Sequence, residues 1–180
     1  MKLDLSEEII LPAGVSAKLE SSVLKFKGPK GEVSRKFIYP QINLAIEGNK
    51  VVVSSKKATK KEKMHMMSFV AHIKNLVNGV QELHVYRLKI CSGHFPMNVS
   101  VSGKDFVIKN FLGESVPRKI TLPLGAEVKV SGVEITVQSP DKELAGQVAA
   151  KIEQLCRITN RDRRVFQDGC YITKKAGDKN

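Results

Sequence analysis

The sequence contains no tryptophan, three cysteines and few aromatic residues, 6% in all. Cys91, Cys156 and Cys170 are odd in number and form no CxxC pair, which excludes a disulfide framework and argues against a zinc module. Three reduced thiols in a cytosolic protein are expected. The apolar run Ile9-Ile10-Leu11 is far too short for a signal peptide or a membrane span. Met1 is followed by Lys2 and not glycine, the ending Lys175-Ala176-Gly177-Asp178-Lys179-Asn180 is no prenylation box, and no basic helix carries a broad apolar face. A soluble, untranslocated chain without a membrane partner is expected. The four histidines, His65, His72, His84 and His94, lie in no metal-ligand spacing, and no HExxH, GxSxG or Walker loop occurs. No catalytic residue, metal, cofactor or small-molecule substrate is therefore expected; His65 and His72 read as partly exposed helix histidines.

Acidic residues are also in short supply. Thirty Lys and Arg stand against 18 Asp and Glu in 180 residues, a net charge of +12, which makes a polyanion the natural partner. The halves share this equally, residues 1–82 with 14 basic and 8 acidic side chains and residues 83–180 with 16 and 10, so local concentration is the useful signal. Two places stand out: the run Lys56-Lys57-Ala58-Thr59-Lys60-Lys61-Glu62-Lys63, and residues 157–180. Arginine forks suit bidentate phosphate contacts, so Arg161-Asp162-Arg163-Arg164 is the stronger candidate for RNA. With few aliphatic residues, the tail is expected to be loosely held alone and ordered on a polyanion. The lysine run opens a helix, where lysines oppose the positive end of the dipole and a phosphate would relieve them, but a solvated face accounts for it equally.

Short apolar stretches from Leu11 to Phe37, broken by Gly28-Pro29-Lys30-Gly31, predict strand, tight turn, strand. The Gly28–Gly31 turn has the GxxG form of a KH domain, yet its flanks are strands. It reads as a hairpin turn with glycines at positive φ, either without an RNA role or also offering Lys27 and Lys30 to phosphate. A second hairpin follows, with Ile42, Leu44 and Ile46 before Gly48-Asn49 and Val51-Val52-Val53 after it. The period then changes: Thr59 with Glu62 is a capping box, and Met66, Phe69, Val70, Ile73, Leu76 and Val77 predict a helix over residues 60–78. Phe26, Phe37, Phe106 and Phe111 are assigned to the core.

This order recurs about 83 residues later. Phe95-Pro96-Met97-Asn98-Val99 echoes Leu11-Pro12-Ala13-Gly14-Val15, Gly113-Glu114 echoes Gly31-Glu32, and Glu134-Ile135-Thr136-Val137 is set against Val51-Val52-Val53-Ser54. A second helix over residues 140–155, capped by Ser139, would place Val148, Ala149, Ile152 and Leu155 where Phe69, Val70, Ile73 and Leu76 stand. The predicted fold is α+β, a tandem duplication of a small antiparallel sheet domain with one packed helix: residues 1–82, then residues 83–180 with the basic tail.

Lys27-Gly28-Pro29-Lys30-Gly31, His94 to Val99, Ile108 to Glu114, Asp141 to Ile152 and Asp168-Gly169-Cys170-Tyr171 together carry a resemblance over nearly the whole chain. It resembles the large-subunit ribosomal protein L-six family, called L-nine in eukaryotes, and within it the eukaryotic or archaeal branch. The lysine run Lys56 to Lys63 and Gly146 depart from the family's usual pattern. The resemblance implies a structural, non-enzymatic protein of two like domains. Its second domain would dock on large-subunit rRNA near the sarcin-ricin loop, with neighbouring ribosomal proteins beside it and translational GTPases nearby. It also implies a cytoplasmic, ribosomal location, nucleolar during assembly in a eukaryote. Candidate rRNA-binding residues are Arg157, Arg161, Arg163, Arg164, Tyr171, Lys174, Lys175, Arg118, Lys119, Lys27 and Lys30. The alternative is a free-standing RNA-binding regulator or RNA chaperone, which would want exposed aromatic groups for reading unstacked bases.

Overall fold

A computed structural model describes residues 3–178; Met1, Lys2, Lys179 and Asn180 of the terminal motifs above lie outside the described residues. Contacts divide the chain into two units, Met1–Leu83 and His84–Asn180. In the first, β1 (Leu3–Ile10), β6 (Lys50–Ala58) and β5 (Asn43–Glu47) form one antiparallel sheet in that order. A second sheet joins β2 (Ser16–Glu20), β3 (Val23–Gly28) and β4 (Gly31–Lys36), and α1 (Lys60–Gln81) packs on β6 and β3. The second unit repeats this order with β7 (His84–Cys91), β8 (Asn98–Ser102), β9 (Asp105–Lys109), β10 (Arg118–Thr121), β11 (Glu127–Ser131), β12 (Glu134–Ser139) and α2 (Lys142–Leu155). It then adds β13 (Gly169–Lys174). Its sheets run β10-β9-β8 and β11-β12-β7-β13. The α+β duplication is thus present, with β7 in the place of β1.

Each unit closes around its own apolar core. One gathers Leu24, Phe26, Val51, Val53, Val70 and Ile73, the other Leu88, Phe106, Ile108, Ile135, Val148 and Ile152. Phe26, Phe37, Phe106 and Phe111 are all buried, although Phe37 lies just past β4 and Phe111 in a 3-10 turn, Phe111–Gly113. The helix faces match: Val70 and Ile73 are buried in α1 as Ala149 and Ile152 are in α2, while Phe69 and Leu155 are half-buried.

The repeat is aligned one residue differently from the sequence reading. Lys50 to Ser55 and Glu134 to Ser139 share one alternation of exposed, buried and half-buried positions, so Val51 corresponds to Ile135 and not to Glu134. Strand side chains alternate faces, and a slip of one residue would turn the whole apolar set outward. Two helix limits also differ. Thr59 and Glu62 form the predicted capping box, but α1 continues through a buried Gly79 to Gln81. The cap of α2 is Asp141, whose carboxylate accepts from the Glu143 amide at 2.9 Å. Ser139 lies two residues upstream, buried, accepting from the Asp141 amide and donating to the Gly125 carbonyl at 2.8 Å.

The Gly28–Gly31 hairpin is where predicted, for a partly different reason. Only Gly31 takes a positive φ, +138°; a Cβ at Gly28 would stand 2.7 Å from the Val80 carbonyl oxygen. That carbonyl, near the end of α1 where intrahelical donors run out, accepts from the Lys30 amide at 3.0 Å. Gly28 is required by close approach to the helix. Gly146, on α2, is likewise explained: its Cβ would meet the Tyr86 hydroxyl at 3.0 Å.

The largest correction concerns the C-terminal segment. The described part is not a loose tail: β13 pairs with β7, Cys170 is fully buried, Ile158 and Asp168 are buried, and the Ile172 amide donates to Glu153 Oε1 at 3.0 Å. A strand added to an existing sheet edge needs few apolar residues of its own, because β7 supplies the hydrogen bonds and α2 the apolar surface.

Candidate nucleic-acid interface

Between α2 and β13, residues 157–168 run along the second unit and end in a buried carboxylate. Asp168 accepts from the backbone amides of Gly93 at 2.8 Å, His94 at 3.2 Å and Phe95 at 3.4 Å, and its Oδ1 lies 3.1 Å from His94 Nδ1. Burial works to raise its pKa, but the Gly93 amide, the His94 ring and the His94 and Phe95 amides outweigh it and hold the carboxyl below its ordinary range. Asp168 therefore pins the loop after β7 to the segment before β13. Above it, the His94 ring lies 4.7 Å from the Phe166 ring, and the Arg161 guanidinium lies 5.0 Å from the same ring. The Tyr171 hydroxyl donates to the Asp168 carbonyl at 3.4 Å, and burial pushes the Tyr171 pKa up, which keeps the phenol protonated.

Arg157, Arg161, Arg163 and Arg164 are all exposed on this segment, as are Tyr171 and Lys175, with Lys174 half-buried on β13. Arg163 and Arg164 border the same cleft as His94, Phe166 and Tyr171. Arg164 also grips Asp162, with Nη2 2.8 Å from Oδ2, and this bond holds the Asp162 carboxyl below its usual value. Arg118 is committed elsewhere. Its Nε and Nη2 donate to Glu114 at 2.8 and 2.5 Å, and its Nη1 donates to the carbonyls of Leu155 and Arg157 at 2.7 and 3.1 Å. Its guanidinium also stacks 4.2 Å from the Phe111 ring. These contacts close the C-terminal end of α2 and leave Arg118 little to offer a phosphate. Its neighbour Lys119 is exposed on the edge strand β10.

Cys156 and Cys170 lie buried in the core beneath this segment, the Cys156 thiol together with burial pushing the Cys170 thiol up. They behave as small apolar core residues. Among the described residues no group of three His, Cys, Asp or Glu could hold a metal, and no helix is long and apolar enough to cross a membrane.

Lys27 and Lys30 are exposed on the hairpin of the first unit. Lys56, Lys57, Lys60, Lys61 and Lys63 are exposed too, around the start of α1. The capping box already supplies a carboxylate there, since Glu62 accepts from the Thr59 amide at 2.8 Å and from the Thr59 hydroxyl. The expected need for an external anion at that helix start is met internally. His65 stacks 4.5 Å from the Tyr39 ring and His72 lies 3.4 Å from Arg35.

The sequence reading did not foresee that His94, Phe166 and Asp168 meet. Two segments that carried the resemblance, His94 to Val99 and Asp168 to Tyr171, held His94 and Asp168 but not Phe166, and only the pairing of β13 with β7 brings the three together.

The sequence model of the family described as ribosomal protein L6 matches residues 11–83 and again residues 95–169. A large ribosomal subunit protein uL6 of Nanoarchaeum equitans is 45% identical over 178 residues, covering 94% of this chain and 93% of the relative. That of Methanosarcina mazei is 44% identical over 176 residues, covering 98% and 100%. That of Haloarcula marismortui is 42% identical over 168 residues, covering 93% and 94%.

Proposed function

The chain belongs to the ribosomal protein L6 family, in its archaeal-like branch, and is a non-enzymatic protein of the large ribosomal subunit; from that premise we propose that its second unit binds large-subunit rRNA through residues 157–175. The observation that carries this is the row of exposed arginines, Arg157, Arg161, Arg163 and Arg164, on a segment anchored by Asp168 and β13. Their backbone is held in place before RNA arrives, so less ordering entropy is lost on binding. Lys174, Lys175, Tyr171 and Lys119 extend the surface; Arg118 acts behind it by holding the end of α2. Lys27 and Lys30 provide a separate, weaker basic hairpin. Following the family resemblance, the docked region is the neighbourhood of the sarcin-ricin loop, with ribosomal proteins alongside and translational GTPases passing close by. The chain works within the cytoplasmic ribosome.

The test is a salt titration of binding to a large-subunit rRNA fragment. Each phosphate contact contributes a log-log slope of roughly −0.7 to −0.9. Replacing Arg161, Arg163 and Arg164 together by alanine is expected to make the slope shallower by about two to three. The melting temperature of the free protein should change little, since all three side chains are exposed. An unchanged slope would send the RNA-binding surface to Lys27, Lys30 and the Lys56–Lys63 run.

A further inference from the structure

Phosphate binding accounts for the arginines of the second unit but not for the rings set among them. His94, Phe166 and Tyr171 come from three segments and line one open cleft of about 870 Å³, with Cys91, Ile158 and Arg163 beside them. That volume is within the range of small-ligand clefts. The rings are also fixed in place. The Asp168 carboxylate meets the His94 ring, and the Asp168 carbonyl accepts from the Tyr171 hydroxyl. The Tyr171 ring lies so close over Gly169, where φ is +157°, that an added Cβ would stand 3.2 Å from it. Tyr171 nonetheless remains 40% exposed. Exposed aromatic surface held rigid and bordered by Arg163 and Arg164 matches an unstacked nucleotide: the rings offer a π face to the base and the arginines take the flanking phosphates. Bases within a duplex are already stacked and cannot enter.

We propose that this cleft is a binding site for a single unpaired nucleobase of RNA, stacked against His94, Phe166 and Tyr171. The proposal rests on the reading of the second unit as an RNA-binding surface.

The experiment uses the full chain and three labelled probes: RNA hexamers of A, C and U, a 12-base-pair RNA duplex, and the large-subunit rRNA fragment. Tyr171→Leu is expected to weaken hexamer binding by roughly five- to hundredfold, the range of one lost base stack, and duplex binding by less than about twofold. Arg163→Ala should weaken hexamer and duplex binding alike. Equal hexamer affinity for wild type and Tyr171→Leu would overturn the cleft site while leaving the rRNA reading intact. Failure of the wild type to bind any of the three would overturn both. Because Tyr171→Leu could disturb β13, a second arm uses wild type alone with a hexamer carrying 4-thiouridine. Photocrosslinks on the peptides holding His94, Phe166 or Tyr171 support the site; crosslinks confined to Lys27, Lys30 or the Lys56–Lys63 run overturn it.

Discussion

Asp168 and Arg118 are each surrounded by partners from distant stretches of chain, and removing either leaves backbone groups without that partner. For Asp168→Ala these are the amides of Gly93, His94 and Phe95. These three residues are exposed and water can take over their amides, so the loss expected in urea unfolding of the second unit is the net worth of hydrogen bonds to a charged group, about 1.5–3 kcal/mol. Hydrogen bonds depress the carboxyl despite burial, so its contribution to stability is fully present above the ordinary value of 3.8 and is lost as the pH falls through the lower folded-state value. Wild type should therefore lose stability as the pH drops below about 4, and Asp168→Asn should show a flatter dependence in that window. A parallel acid profile for the two proteins would remove Asp168 from this role. His94 faces Asp168, Phe166 and, through that ring, Arg161, so the acid titration reads the carboxylate in the company of a histidine and an arginine.

Elements in this protein depend on their neighbours more than on their own composition. The sequence of β13, Gly-Cys-Tyr-Ile-Thr-Lys, holds one aliphatic residue, yet it pairs along β7 and places Cys170 under α2. Native-state hydrogen exchange in the RNA-free protein is expected to protect the amides of Cys170 and Ile172 to about the level of β7. Fast exchange throughout 169–174 would restore the picture of a loose tail. Glycine shows the same dependence. Gly28 looks like turn chemistry, but its necessity comes from the Val80 carbonyl, which a Cβ there would meet at 2.7 Å, on a helix about fifty residues further along. Gly146, a departure from the family pattern in the sequence, answers to the Tyr86 hydroxyl on β7.

At the scale of the whole molecule, the two units carry +6 each and one architecture, so net charge does not distinguish them. They differ in how charge is presented: five exposed lysines around the start of α1 in one, and arginines beside fixed rings in the other. Lysine gathers phosphate as a point charge, whereas arginine adds planar, bidentate geometry. In a sucrose gradient the intact chain is expected to cosediment with the large ribosomal subunit. The triple Arg161, Arg163, Arg164 to alanine protein should be released at lower salt than wild type, and Lys27→Ala with Lys30→Ala should shift that salt point less. A larger shift for the lysine pair would make the first unit the principal anchor.

Period and order were legible in the sequence: the two helices, the hairpin turns, the capping box at Thr59 and Glu62, the duplication and the basic balance. Each is a local rule, set by side-chain spacing or by the φ a residue tolerates, and needs no distant partner. The first strand escaped notice because only Ile9 of β1 is buried, leaving little alternation to detect. Register of the repeat, the role of Gly28, the engagement of Arg118 and the fixing of Asp168 were decided by tertiary structure. The decisive partners lie far along the chain, Val80 for Gly28, Gly93 for Asp168 and, besides the nearby Glu114, the Leu155 and Arg157 carbonyls for Arg118, and a linear pattern holds no information on which segments will touch. The candidate RNA surface divides the same way: its charge was visible in the sequence, whereas the cleft among those charges exists only because β13 pairs with β7.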